Sequence, residues 1–154
     1  MNRKIENLKN YRLYLLKQLE GLTTEQLNAI PAGYPNNVVW NLAHLVSVTQ
    51  NLCYVRAGLP VAVDDQYFSP YLPGTKPGRF IDEPEIQTIK ALCISSMDQF
   101  QADYAKNAFG KYSPSAGIAK VYGVEVTHID EAIDYLLYHE GFHGGYVLSL
   151  KRLL

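Results

Sequence analysis

The sequence feature that most narrows the fold is His139-Glu140-Gly141-Phe142-His143, set in a helical stretch near the end of the chain. On an α-helix, residues four apart stand about 40° from each other around the axis, so both imidazoles face one side and can address one ion. The helix is signalled at both ends. Thr127 with Asp130 three residues later reads as a capping box; Asp130, Glu131 and Asp134 put negative charge at the positive end of the dipole, and Lys151 and Arg152 close the other end. Ala132, Leu136, His139, His143, Tyr146 and Leu150 then form one stripe, apolar apart from the two histidines, which the spacing turns towards a core.

As a pattern this is His-Glu-x-x-His, the zinc-protease signature. Such enzymes usually take a third ligand from downstream, whereas the eleven residues after His143 contain no His, Asp, Glu or Cys. A third ligand must therefore come from upstream. Gly141, Gly144 and Gly145 add a second constraint, because each costs a helix roughly 1 kcal/mol relative to Ala. Close approach of another backbone or a ligand is the usual reason for such glycines. The alternative for the two histidines is that they are core residues satisfied by hydrogen bonds.

Upstream, Ile5, Leu8, Leu15 and Leu19 recur at a helical period over residues 3–20, ending at Gly21. Thr23 to Asn28 suggests a short extra turn, and residues 31–35 read as loop. Asn36 or Asn37 then caps a second helix running to about Ala57, with Gly58 as its stop and Pro60 beyond. One side of this helix carries Asn37, Trp40, Asn41, His44, Ser47, Val48, Asn51 and Val55; Leu42, Leu45, Val46 and Cys53 occupy the other. Apolar residues on both sides mean burial on both, so the polar side bearing His44 needs partners, which a metal or a small wet pocket would supply. Alone, His44 reads as a satisfied histidine. Beside a helix that lacks its third ligand, it becomes the candidate.

Residues 59–82 form a long connection rich in Pro, Gly and Tyr, of the kind often used as a lid or binding loop. Asp64 and Asp65 read as solvated loop acids or, alternatively, as carboxylates serving a site. A third helix starts at Asp82-Glu83-Pro84, with Pro near the first helical position, and runs to about Ala108 as scaffold. Gly110 to Val126 is a second long connection, in which the β-branched run Ile118 to Val126, broken by Gly123, allows a short hairpin. His128 lies about three turns from His139, too far along the axis to share its ion, and reads as a surface or capping residue. The expectation is one all-α domain over residues 1–154: a four-helix bundle with two long connections, an architecture that builds metal sites from facing helices.

A formal net charge of -1 gives no basic field, so nucleic acid and anionic membrane are poor partners. The N-terminus shows no signal-peptide pattern and no stretch approaches a membrane span, so a cytoplasmic location is expected. Cys53 and Cys93, forty residues apart, read as reduced, buried small hydrophobes. Twelve tyrosines against five phenylalanines suggest half-wet surfaces such as pockets or subunit contacts.

Asn37-Val-Val-Trp40-Asn41-Leu-Ala-His44-Leu, then Tyr54-Val-Arg-Ala-Gly58-Leu-Pro60, and Tyr122-Gly-Val-Glu-Val-Thr127 leading into Tyr138-His139-Glu-Gly-Phe-His143-Gly-Gly resemble the DinB/YfiT-like proteins over nearly the whole chain. The resemblance implies that His44, His139 and His143 are the three ligands of a divalent metal, zinc or nickel, with water completing the coordination, and that the protein forms homodimers. Many members carry a polar residue such as Gln after the second metal histidine, where this chain has Gly144-Gly145-Tyr146.

Three neutral imidazoles with an open position are the arrangement of catalytic rather than structural zinc. Such a centre lowers the pKa of a bound water or thiol towards neutrality. Two enzyme classes follow for a small-molecule substrate: hydrolysis, or transfer onto a low-molecular-weight thiol, which the resemblance favours because some relatives are bacillithiol- or mycothiol-dependent transferases. Glu140 is the nearest carboxylate in sequence and reads as a general base, a salt-bridge partner, or an orienter of an imidazole. Trp40, Asn51 and Tyr146 are the candidate pocket residues. The rival class is a non-catalytic metal-binding stress or scaffold protein.

Overall fold

The computed structural model describes residues 2–154. Helix α1 spans Arg3–Gln18; the side chain of its N-cap, Asn2, accepts from the Lys4 amide. Ile5, Leu8, Leu15 and Leu19 are all buried, as their period demands. Gly21, at φ 84°, supplies the left-handed turn that lets the chain leave. A short α2, Thr24–Asn28, follows behind a capping box between Thr23 and Gln26.

Asn37 caps α3, Val38–Thr49, by accepting from the Trp40 amide, and every residue of this helix is buried. The expected continuation to Ala57 changes character at Gln50. Residues Gln50–Val55 form a π-helical turn, a form that often marks functional positions, before Gly58 at φ 71° ends the element.

The 59–82 connection is more ordered than its composition suggests. It contains two 3-10 turns, Asp65–Tyr67 and Ser69–Tyr71, and packs along α3. Asp64 accepts from the Gln66 amide and Asp65 from the Ser69 hydroxyl, so both acids serve their own loop. Helix α4, Glu83–Ala105, starts at the N-cap Asp82 with Pro84 in its first turn.

The short hairpin that the 118–126 run allows is not formed. Ala116–Tyr122 is a helix, α5, closed by Gly123 at φ 66°, and no strand occurs among the described residues. The same glycine that reads as a strand breaker is a helix C-terminal stop. Helix α6, Ile129–Lys151, also begins differently from expectation: Glu131, rather than Asp130, accepts from both the amide and the hydroxyl of Thr127. His128 is the N-cap residue, exposed and 3.3 Å from Glu131.

The fold is all-α. Helix α1 packs against α4 and α6, and α3 packs against the same two, so the four longer helices ring the core with α3 and α6 side by side. Cys53 and Cys93 are free and buried. No helix among the described residues is long and apolar enough to cross a membrane.

Candidate metal centre

The pairing of α3 with α6 brings His44, His139 and His143 together, with one nitrogen of each lying within 4.8 Å of the others. Ring centroids are 4.4 Å apart for His139 and His143, 4.6 Å for His44 and His143, and 5.3 Å for His44 and His139. Nitrogens sharing one tetrahedral ion at about 2.0–2.1 Å would stand roughly 3.3 Å apart, so small side-chain rotations close the set. His44 is 4% exposed, while the other two are partly exposed.

Two of the three rings are oriented from behind. His44 Nδ1–H donates to the carbonyl of Tyr71 at 2.6 Å, which leaves Nε2 with its lone pair free. His143 Nδ1 lies 2.8 Å from Asn41 Oδ1. The Asn41 amide nitrogen donates to the Asn37 carbonyl and to Asn36 Oδ1, so its oxygen is the atom turned to the imidazole. His143 therefore also carries its proton on Nδ1. The buried Nδ1 of His139 has no partner at all. Trp40 lies flat on His44, centroids 4.6 Å apart and planes 14° from parallel.

The electrostatics suit donation. Burial lowers the pKa of His44 against the raising effect of its bond to Tyr71. Burial, then His44, push His143 down to about 4. His139 is driven well below its ordinary value by burial, then by its two neighbours and Arg12. All three are neutral at pH 7, and neutral imidazole is the ligand form. The donor set and the orphaned His139 nitrogen thus fit a divalent cation.

Glu140 is engaged elsewhere. Its Oε1 accepts from Arg12 Nε at 2.9 Å and from Arg12 Nη2 at 2.5 Å, both side chains being almost fully buried. Of the roles open to it in sequence, the salt bridge is the one its contacts display. The same guanidinium reaches the Cys93 carbonyl on α4 and the Leu45 carbonyl and Thr49 hydroxyl on α3, so Arg12 joins α1, α3, α4 and α6. Glu140 Oε2 is buried without a partner, and burial pushes this carboxyl up against the pull of Arg12.

The buried face of α6 differs from the expected stripe. Its members are Ala132, Ile133, Leu136, Glu140, Gly144, Val147 and Leu150, and the histidines lie at its edge. Only one of the three glycines answers to close approach. A Cβ on Gly144 would stand 2.0 Å from the Tyr11 hydroxyl, whereas Gly141 and Gly145 face open space.

A cleft of about 440 Å³ lies under the 59–82 segment. Trp40 lines it; Asn51 and Tyr146 do not. Asn51 falls in the π-helical turn, and Tyr146 packs edge-on against Tyr34 with its hydroxyl buried and unpartnered. Sequence reading missed Arg12, although a charged residue sits there in the Leu8–Leu15 apolar stripe and so needs a buried partner. Asn41 was visible as a buried polar residue, but not its bond to His143. The Tyr71 carbonyl carries no side-chain signal at all.

The family model described as the DinB superfamily matches residues 8–147. No curated protein and no solved structure matches the chain.

Proposed function

The chain belongs to the DinB superfamily, and from that premise we propose that it is a metal-dependent enzyme that transfers a group from a small electrophile onto a low-molecular-weight thiol. The observation that carries this reading is the convergence of His44, His139 and His143, with two of the three rings held from behind so that their Nε2 atoms are free. A zinc or nickel ion held there supplies Lewis acidity that eases deprotonation of a coordinated thiol or water.

The protein's own groups favour a thiol over water. Glu140 is buried against Arg12 and lies outside the three-histidine group, so the carboxylate nearest in sequence to the ligands is not placed to take a proton from water there. A thiol, with an ordinary pKa of about 8.5, needs far less help to ionise. That thiol must come from outside. Cys53 and Cys93 are buried, and burial pushes the Cys93 thiol up to about 12 and Cys53 higher still, so neither serves as a thiolate. Tyr71 and Asn41 fix the rings of His44 and His143, Trp40 covers the inner face of His44, and the partly exposed His139 and His143 leave the outer side for substrate. Homodimer formation belongs to the same proposal and is supported by the exposed apolar side chains Tyr122, Tyr138 and Phe142; light scattering tests it.

The test has two parts. Purified protein is analysed for metal, with one equivalent expected in the parent and loss of stoichiometric metal in His44→Ala. Small electrophiles are then screened with and without an added thiol. Turnover only with thiol supports the transferase, thiol-independent turnover turns the reading to a hydrolase, and full metal retention by His44→Ala rejects the ligand set.

A further inference from the structure

We propose that the cleft under the 59–82 segment is a second binding site, for a small planar carboxylate, and that its occupancy is coupled to the three-histidine cluster through Trp40 and Tyr71. Its volume of about 440 Å³ is that of a small-molecule site. None of the three histidines lines it. Trp40, Tyr71 and Ile81 are the buried apolar members of its lining, and Asn37, Gln66, Thr75, Lys76 and Arg79 are its polar members. The lining contains no Asp or Glu.

The balance of charge selects an anion. Arg79 is held by both oxygens of Glu85, at 2.8 and 2.5 Å, which neutralises it and fixes its place. Lys76 pairs with no carboxylate among the described residues and is left as the uncompensated cation. A small planar ring held among the apolar lining residues, with its carboxylate towards Lys76, satisfies both halves of the lining.

The coupling follows from what stands behind the wall. Trp40 lines the cleft and stacks on His44, and Tyr71 lines the cleft while its carbonyl accepts the hydrogen bond from His44 Nδ1–H. A ligand therefore presses on both supports of one metal-binding ring. Any change it makes in metal affinity must be returned as an equal change in its own affinity when metal binds. The binding itself rests on no metal; only the coupling rests on the function proposed above.

Trp40 is the sole tryptophan, so its indole N–H resonance is a single probe of the wall between the two sites. The full chain is titrated with benzoate, and with uncharged benzamide as control, in metal-free and zinc-loaded forms. A saturable shift of the indole signal by benzoate is expected, weakened at least about tenfold for benzamide and in Lys76→Glu, with zinc changing the benzoate Kd. Lys76 is exposed, and the remaining resonances verify that the variant is folded. Absence of a saturable shift, equal binding of benzamide, or unchanged binding in Lys76→Glu overturns the site. An unchanged Kd in protein shown to hold zinc overturns the coupling alone. A chain that takes up no zinc overturns the function proposed above, while the metal-free titration still decides the cleft.

Discussion

Helix α6 carries two buried polar clusters that begin one residue apart, and they are built on opposite plans. Glu140 turns to Arg12, and that guanidinium spends its donors on Glu140, two backbone carbonyls and a hydroxyl from the neighbouring helices. His139 turns to His44 and His143, where two Nδ1 atoms are anchored in protein and the remaining donor capacity converges on a common point. The first cluster pairs opposite charges across the helices, with Glu140 Oε2 its one unpartnered atom, and serves the packing of the ring. The second is supported on one side and left incomplete on the other, as a ligand site is. Adjacent residues of one helix thus separate into structure and function because they face different neighbours.

The sharpest way to break this contrast is to remove the cation of the first cluster. Arg12→Met leaves Glu140 buried without a counter-ion and should cost about 3–5 kcal/mol in urea unfolding, with most of it recovered in Arg12→Met/Glu140→Met. A cost near zero would mean that the pair does not hold the helices together. The open cluster should reveal itself next through acid. In metal-free protein all three imidazoles are lowered, chiefly by burial, His143 from 6.5 to about 4. Between those values the unfolded chain holds more protons than the folded one, so this contribution is complete above about pH 6.5 and is lost as pH falls towards 4. Unfolding curves with chelator across that range should show the decline, with a smaller slope in His143→Gln.

Asn41→Ala sharpens the comparison further. It frees the His143 ring and should lower metal affinity 10–100-fold in a competition titration, an effect that Arg12→Met/Glu140→Met should not reproduce if the clusters are independent. The α6 glycines complete the comparison, and the smallest expected effect is at Gly141. Gly144→Ala drives a methyl into Tyr11 and should cost about 1–3 kcal/mol, while Gly141→Ala, facing open space, should stabilise by up to about 1 kcal/mol. Thermal melts of the two variants moving in opposite directions would place the close approach at Gly144 alone.

Much of this was written in local pattern. The spacing of Ile5, Leu8, Leu15 and Leu19 determines which side of α1 is buried, and Asn37, Asp82 and the stops at Gly21 and Gly58 mark helix ends because caps and left-handed turns depend on one or two residues. The three histidines could be chosen by type, by their four-residue interval and by the missing third donor. Tertiary structure decided what depends on which elements become neighbours. It rotated α6 so that Glu140 and Gly144, rather than the histidines, face inward, made a helix of 116–122, and sent Glu140 to Arg12 across 128 positions of chain. It also delivered the Tyr71 carbonyl to His44, a partner that every residue possesses and that only position can select. Periodicity and capping are short-range and survive in the sequence; the partner of a buried polar atom is a long-range choice, made when the helices pack.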